Sequence, residues 1–373
     1  MSSPCRRPIT ALIVIALSTA LLAACSSSNS STPSASNTPG SASASGGGKT
    51  IAMLLPNTAS IRFTTIDGPV FKATVKQLCP SCTVIVDNAN GDASAQQAQA
   101  EAAMTQGARV LVLDPFDGSA LAGVVAEAKS ENIPVIDYDS LITNAPISYY
   151  VSFDGIKVGQ LIAQSLVDRM KQLGTTNKCV VAIRGDATDT NQAEFWKGSF
   201  PVLQQAHLKI CYNSTTPGWA SAPAQQEMDQ AITQIGKSNI GGVYVMNDSM
   251  AAGVAASLVD ANFATFPPIT GQDGDTAAIQ RILVGQQYMT VWKNTTKEAQ
   301  TAAQMAVDLA SSKTPATTTT MNNGAVTVPA SLLAPVAVTI NNIESTVVAA
   351  GFVTPAELCT SQYAAACAKV GLH

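Results

Sequence analysis

From Lys49 onward the chain repeats one unit: a short β-branched, apolar run, a longer helical stretch, and then the next run. Runs at Thr50–Leu55, Thr83–Asp87, Arg109–Leu113 and Pro134–Asp137 are nearly continuous in apolar character, as strands buried on both faces of a parallel sheet are. Between them, Ala93–Gln106 is rich in alanine and glutamine and lacks Gly and Pro, which favours helix. Gly118–Glu131 predicts a further helix, stopped by Asn132 and Pro134. The rhythm restarts after Phe153, with strands expected at Cys179–Ile183, Leu208–Tyr212, Gly242–Met246, Phe266–Thr270 and Tyr288–Val291. Helices are expected near 155–172, 191–206, 222–236, 248–261 and 274–284. Strands alternating with helices in two halves predict an α/β body of two lobes, each a doubly wound parallel sheet.

In open parallel sheets, ligands lie beyond the carboxyl ends of the strands. Polar and aromatic residues gather at those ends: Phe63 after the first strand, Asp114 and Asp117 after the third, Asp139 after the fourth. In the second half come Asp189, Trp219, Asn247 with Asp248, and Asp273 with Asp275. Two facing sheets would bring these ends to one cleft.

Charge is scarce, at 12% of residues with a net of −4, against about 25% charged in an ordinary domain. With 21 Lys and Arg against 25 acids and no basic run, there is no electrostatic footprint for nucleic acid or an anionic membrane surface. His207 and His373 are the two histidines, which argues against a histidine metal site or a Ser-His-Asp centre. The spacing of Asp273 and Asp275 lacks the ligand series of a calcium loop. No metal or cofactor is expected.

The first residues are targeting sequence. Arg6 and Arg7 precede an apolar run, Ile9–Ala23, and then Leu22-Ala23-Ala24-Cys25, the pattern of a secretory signal peptide. The terminal cysteine resembles a bacterial lipobox, which implies cleavage after residue 24 and lipidation of Cys25. Residues 26–48 carry no charged or bulky apolar side chain and are expected to form a tether reaching about 25–30 Å. Loss of Arg6 and Arg7 would take the net charge from −4 to about −6.

A series of short motifs carries a resemblance. Asn88-Ala-Asn-Gly-Asp92, Val112-Leu-Asp-Pro-Phe-Asp-Gly118, Ile136-Asp-Tyr-Asp139, Tyr150-Val-Ser-Phe-Asp154, Asn247-Asp248, Gly271-Gln-Asp-Gly-Asp275, Met289-Thr-Val-Trp-Lys293 and Asn322-Asn-Gly324 follow in order from about 50 to 355. Together they resemble the type I periplasmic binding proteins of ABC sugar importers, the D-xylose-binding branch above all. The resemblance implies a binding protein rather than an enzyme. It also implies ligand roles for Asp139, Asp189, Asn191, Asn247, Asp273 and Lys293, and an aromatic pair, Phe63 after Arg62 and Trp219, on the sugar faces. A pyranose suits such a set, because its hydroxyls need paired donors and acceptors while its C–H faces suit aromatic rings. One position departs: where that branch has an arginine after Tyr-Asp, this chain has Ser140, which opens the site to another sugar, anomer or sugar alcohol.

The resemblance further implies three passages of the chain between lobes, near 150–153, 290–294 and 326–330. The N-terminal lobe would hold 49–151 and 293–327, and the C-terminal lobe 152–292 and 328–373. Expected partners are a monosaccharide or sugar alcohol, an ABC permease with its ATPase, and the membrane through the lipid, with the protein itself a monomer exported to the outer face of the cell membrane. A sugar-sensing role, docking on a membrane sensor, is the alternative. A DNA-binding regulator would need a helix-turn-helix where the signal peptide and tether stand, and paired carboxylates alone do not make a glycosidase. Asp114, Asp117, Asp248 and Asp275 are candidate helix caps. Six cysteines, Cys79, Cys82, Cys179, Cys211, Cys359 and Cys367, remain in the exported body, an even number that argues for disulfides. Cys79 with Cys82 would form a local bridge, Cys179 with Cys211 would join neighbouring strands, and Cys359 with Cys367 would close the tail.

Overall fold

A computed structural model describes residues 49–372. The expected signal peptide, Cys25 and the tether lie outside the described residues. The first sheet holds β1 (Thr50–Leu55), β2 (Thr83–Asn88), β3 (Ala108–Leu113), β4 (Val135–Tyr138) and β5 (Tyr149–Phe153). Helices α1 (Gly68–Leu78), α2 (Ala93–Thr105) and α3 (Ala122–Ser130) connect them. The second set runs α4 (Gly155–Gln172), β6 (Cys179–Arg184), α5 (Thr190–Gln205), β7 (Lys209–Thr215), α6 (Ser221–Ile235), β8 (Ile240–Val245) and α7 (Asp248–Asp260). It continues with β9 (Gln272–Asp273), α8 (Thr276–Leu283) and β10 (Met289–Trp292). The chain then returns through α9 (Thr295–Ala310), β11 (Thr319–Asn322) and β12 (Thr327–Leu333) to the first sheet, and ends with β13 (Val336–Thr339), α10 (Pro355–Leu358) and α11 (Ala364–Lys369) on the second side.

The first sheet has seven strands in the order β11-β12-β5-β4-β3-β1-β2, parallel except for the β11 edge. Apolar clusters cover both of its faces, which is why its strands read as unbroken apolar runs. The second side pairs β7-β6-β8 and β9-β10-β13, linked by a bridge between Val243 and Ile269. This is the two-sided, mostly parallel α/β architecture expected from the sequence, with both sets of strand ends pointing to one cleft.

Three expectations need correction. The helix expected from Gly118 starts at Ala122, because the Gly118 main chain bonds instead to Thr188 and Thr143. The strand expected at Phe266–Thr270 is reduced to the Ile269 bridge, and regular pairing begins at Gln272. The third passage, expected at 326–330, falls after Leu333, because β12 pairs along β5 from Ala330 to Leu333. Disulfides join Cys79 to Cys82, Cys179 to Cys211 and Cys359 to Cys367, with Cα separations of 5.3, 5.5 and 5.8 Å.

Candidate functional site

A cavity opens between the two sets of strand ends. Arg62, Phe63, Asp139, Ser140, Asp189, Asn191, Trp219, Asn247, Asp273 and Lys293 all line it, although they come from seven separate loops of the sequence. Pro56, Asn57, Ser60, Pro115, Phe116, Asp186, Phe195 and Gln272 complete the lining.

On the first wall Arg62 is the hub. It precedes a single π-helical turn, Phe63–Asp67, and donates through Nε and Nη2 to both oxygens of Asp67 at 3.0 and 2.7 Å. Its Nη2 also reaches Glu298 at 2.9 Å, and its Nη1 reaches Asp139 at 2.9 Å. The fork geometry of guanidinium explains how one side chain serves three carboxyl groups. Lys293, arriving from β10, donates to the other oxygen of Asp139 at 2.6 Å. Burial works against charge on Asp139, but Arg62 and then Lys293 outweigh it and hold its carboxyl below the usual range. Glu298 goes the other way, pushed well up by burial and then by the charge of Asp139.

The backbone at Asp139 has φ +55°, a left-handed conformation that Asp tolerates at some cost. Hydrogen bonds from Tyr150 and Ser152 of β5 to the Asp139 carbonyl, at 2.9 and 2.6 Å, hold it there. The neighbouring strand-end loop is fixed by the buried Gln96, which donates to the Asp114 carbonyl at 2.6 Å and accepts from Phe116 N at 2.9 Å.

The second wall is built from helix caps. Asp189 caps α5 by accepting from Asn191 N at 2.8 Å, and its other oxygen accepts from the Trp219 indole at 2.9 Å. Asn247 caps α7 through Met250 N at 2.9 Å and uses its amide to donate to Ser60 across the cleft at 3.1 Å. Trp219 (φ +57°) lies on Gly185, where any Cβ would sit 2.1 Å from the indole. Asp273 (φ +110°) is held by its neighbours, since Gly274 N and Asp275 N both donate to Asp248, at 2.9 and 3.0 Å. Gln272 donates to Asp273. Burial raises Asp189 to about 7, and it raises Asp273 to about 7 as well, Lys293 and Arg62 only partly opposing it.

The capping expectations are thus partly reversed. Asp117 does cap a turn, accepting from Ser119 N and Ala120 N at 2.8 and 3.2 Å. Asp248 instead braces the segment that carries Asp273, and also accepts from Thr290 at 2.8 Å and Gln287 at 2.7 Å. Asp275 makes no side-chain cap bond. Asp114 is buried with both carboxyl oxygens unpaired and is pushed well up by burial, then by Asp139. Among the described residues, no cluster of three or more His, Cys, Asp or Glu side chains is arranged for a metal ion.

Sequence reasoning missed Phe195, which sits inside α5 and reads as core, and Asn57 and Ser60, small polar residues in the loop before Arg62 and Phe63. Phe116 was detectable, since it stands at a strand end between Asp114 and Asp117. Asp67 and Glu298 carried no signal, because each lies in a helical stretch and meets Arg62 only in three dimensions.

Residues 51–314 match the model of the periplasmic binding protein domain, and the chain belongs to the periplasmic binding protein family. It is 38% identical to the D-xylose-binding periplasmic protein of Escherichia coli (strain K12) over 279 residues, 74% of this chain and 83% of that protein. The multiple sugar-binding periplasmic receptor ChvE of Rhizobium radiobacter is 31% identical over 323 residues, 81% of this chain and 90% of its own. Among solved structures, an ABC transporter solute-binding protein from Clostridium phytofermentans with bound β-D-glucose superposes with a TM-score of 0.77. It is 28% identical, and the match covers 83% of this chain and all of the other.

Proposed function

We propose that this protein is a lipid-anchored, exported solute-binding component of an ABC importer, and that it captures one neutral monosaccharide or sugar alcohol in the cleft. The carrying observation is that Arg62, Asp139, Asp273 and Lys293, from both walls, meet in one cavity that aromatic side chains also line. Paired acceptors and cations at this spacing suit ring hydroxyls, while Phe63, Phe116, Phe195 and Trp219 offer apolar faces to C–H groups. Four carboxyl groups, Asp139, Asp186, Asp189 and Asp273, face two cations, Arg62 and Lys293, in the lining, which disfavours an anionic sugar. Ser140 in place of an arginine leaves the specificity at pentoses such as xylose or at related sugars and polyols. The lobes would hinge about the three chain passages, with bound sugar favouring the closed arrangement that the permease reads. No turnover is required.

A thermal-shift screen over pentoses, hexoses and polyols tests this. A ligand at 100 times its Kd adds about 2.7 kcal/mol of apparent stability; a flat response to every sugar and polyol refutes the reading. Cys25→Ser should release the protein from the membrane fraction, and retention there would refute the lipid anchor. The sensor role is favoured by the likeness to a protein named a receptor; deletion of a neighbouring permease that leaves sugar uptake intact would support it.

A further inference from the structure

Thr190, the first residue of α5, does not line the cavity, yet it makes a two-way bond across the cleft. Its hydroxyl accepts from Leu141 N at 2.8 Å and donates to the Leu141 carbonyl at 3.1 Å. Leu141 stands in the loop after β4, and that loop is anchored to its strand by Ile142 N donating to Asp137 at 2.7 Å. Beside it, Gly118 N donates to the Thr188 carbonyl at 3.2 Å, and Thr143 N donates to the Gly118 carbonyl at 2.7 Å. The fit is tight: a Cβ on Gly118 would lie 2.7 Å from Thr190 Cγ2 and 2.9 Å from the Leu141 carbonyl. On either side of Thr190 are two cavity residues, Asp189, which holds the Trp219 indole, and Asn191, which donates to Ser140 at 3.1 Å.

We propose that Thr190 is a positioning residue, whose hydroxyl clamps the Leu141 main chain and so sets Asp189 and Asn191 against the opposite wall. Main-chain partners make the clamp independent of which sugar is present. It therefore adds closure energy for every ligand alike, and discrimination is left to the cavity side chains. Breaking it acts on escape more than on entry, because the bonds hold together walls that have already met. The inference rests on the sugar-binding reading of the cavity.

The test uses the mature full-length chain as Thr190→Val, Thr190→Ser and Gly118→Ala, with D-xylose, D-glucose and xylitol as probes. Amide exchange of segments 116–119 and 139–143 is followed with and without probe. Thr190→Val, which keeps the shape and loses the hydroxyl, should weaken every binding probe by a similar factor of about 10, through faster dissociation. Exchange in both segments should accelerate, and Gly118→Ala should do the same. Thr190→Ser should restore affinity and protection to within about twofold. Wild-type affinity and exchange in Thr190→Val, or failure of Thr190→Ser to rescue, would overturn the clamp, as would a changed order of sugar preference. If wild type binds no probe, the sugar reading fails by itself, and the exchange comparison without ligand still decides whether the clamp exists.

Discussion

Asp139 and Asp273 face the same two cations from opposite walls and end in opposite states. Asp139 lies 2.9 Å from Arg62 and 2.6 Å from Lys293; Asp273 lies 3.6 and 4.0 Å from them. Both are buried, at 4% and 6% exposure. The shorter contacts are charge-assisted hydrogen bonds that overcome burial, whereas at the longer distances burial wins. Asp139 is therefore held as an ionised acceptor, whereas Asp273, raised to about 7, titrates within the neutral range and donates when it holds its proton. A difference of about 1 Å gives one cavity both kinds of carboxyl group, which a ligand with hydroxyls that donate and accept requires.

The comparison breaks most severely at its shared cation. Arg62→Met leaves Asp67, Asp139 and Glu298 facing one another in a buried site, and loss of one partner from such a network costs about 3–5 kcal/mol. Urea unfolding should show that loss; a change under about 1 kcal/mol would mean that the carboxyl groups simply protonate at little cost. Asp139→Asn acts next, mainly on binding. It removes the ionised acceptor and strands Lys293, and truncation of a buried charge pair costs about 2–5 kcal/mol. Titration calorimetry should show at least a thirtyfold loss of sugar affinity, and a larger loss for Asp273→Asn than for Asp139→Asn would invert the assignment of the two walls.

On the second wall, Gly185→Ala sharpens the contrast between charge and shape. The new Cβ would meet the Trp219 ring at 2.1 Å, so the indole must move off Asp189, at the cost of about 1–3 kcal/mol that overpacking carries. Tryptophan emission should shift and affinity should fall, and Asp189 should rise further on losing the indole bond that lowers it. An unshifted spectrum would show that the loop at Pro217–Trp219 yields freely.

The sheet order and the cavity lining differ in how far they were legible. Buried parallel strands declare themselves as apolar runs, so the order from β1 to β10, apart from β5, was readable; the edges failed where tertiary bonds compete, as at Gly118, and β5 and the elements after β10 were not read. The strand-end rule located Asp139, Asp189, Asn247 and Asp273, because chemistry at those ends needs no knowledge of the partner. What stayed hidden was everything decided by distance between residues far apart in sequence: the Arg62 hub on the first wall and, across the cleft, the clamp at Thr190 and the raised carboxyl of Asp273. Residue type alone gives Asp139 and Asp273 the same role, and only the contacts separate them.

The finest test of that separation is the pH dependence of stability. A carboxyl whose pKa is about 7 in the folded protein and about 4 in the unfolded chain keeps its proton on folding where the unfolded chain has lost it. Its favourable contribution is complete below about pH 4 and is lost as pH rises through about 7, by at most about 1.4 kcal/mol per pH unit. Asp189 shifts the same way, while Asp139, held below the usual range, contributes stability that is constant above about pH 4 and lost only in stronger acid. Urea unfolding between pH 5 and 7 should therefore show stability declining with pH. Asp273→Asn should remove part of that slope and Asp189→Asn another part, and Asp139→Asn should also flatten it, because the Asp139 charge helps to raise both groups. An unchanged slope in Asp273→Asn would mean that Arg62 and Lys293 hold both carboxyl groups ionised, and that the extra distance to Asp273 does not matter.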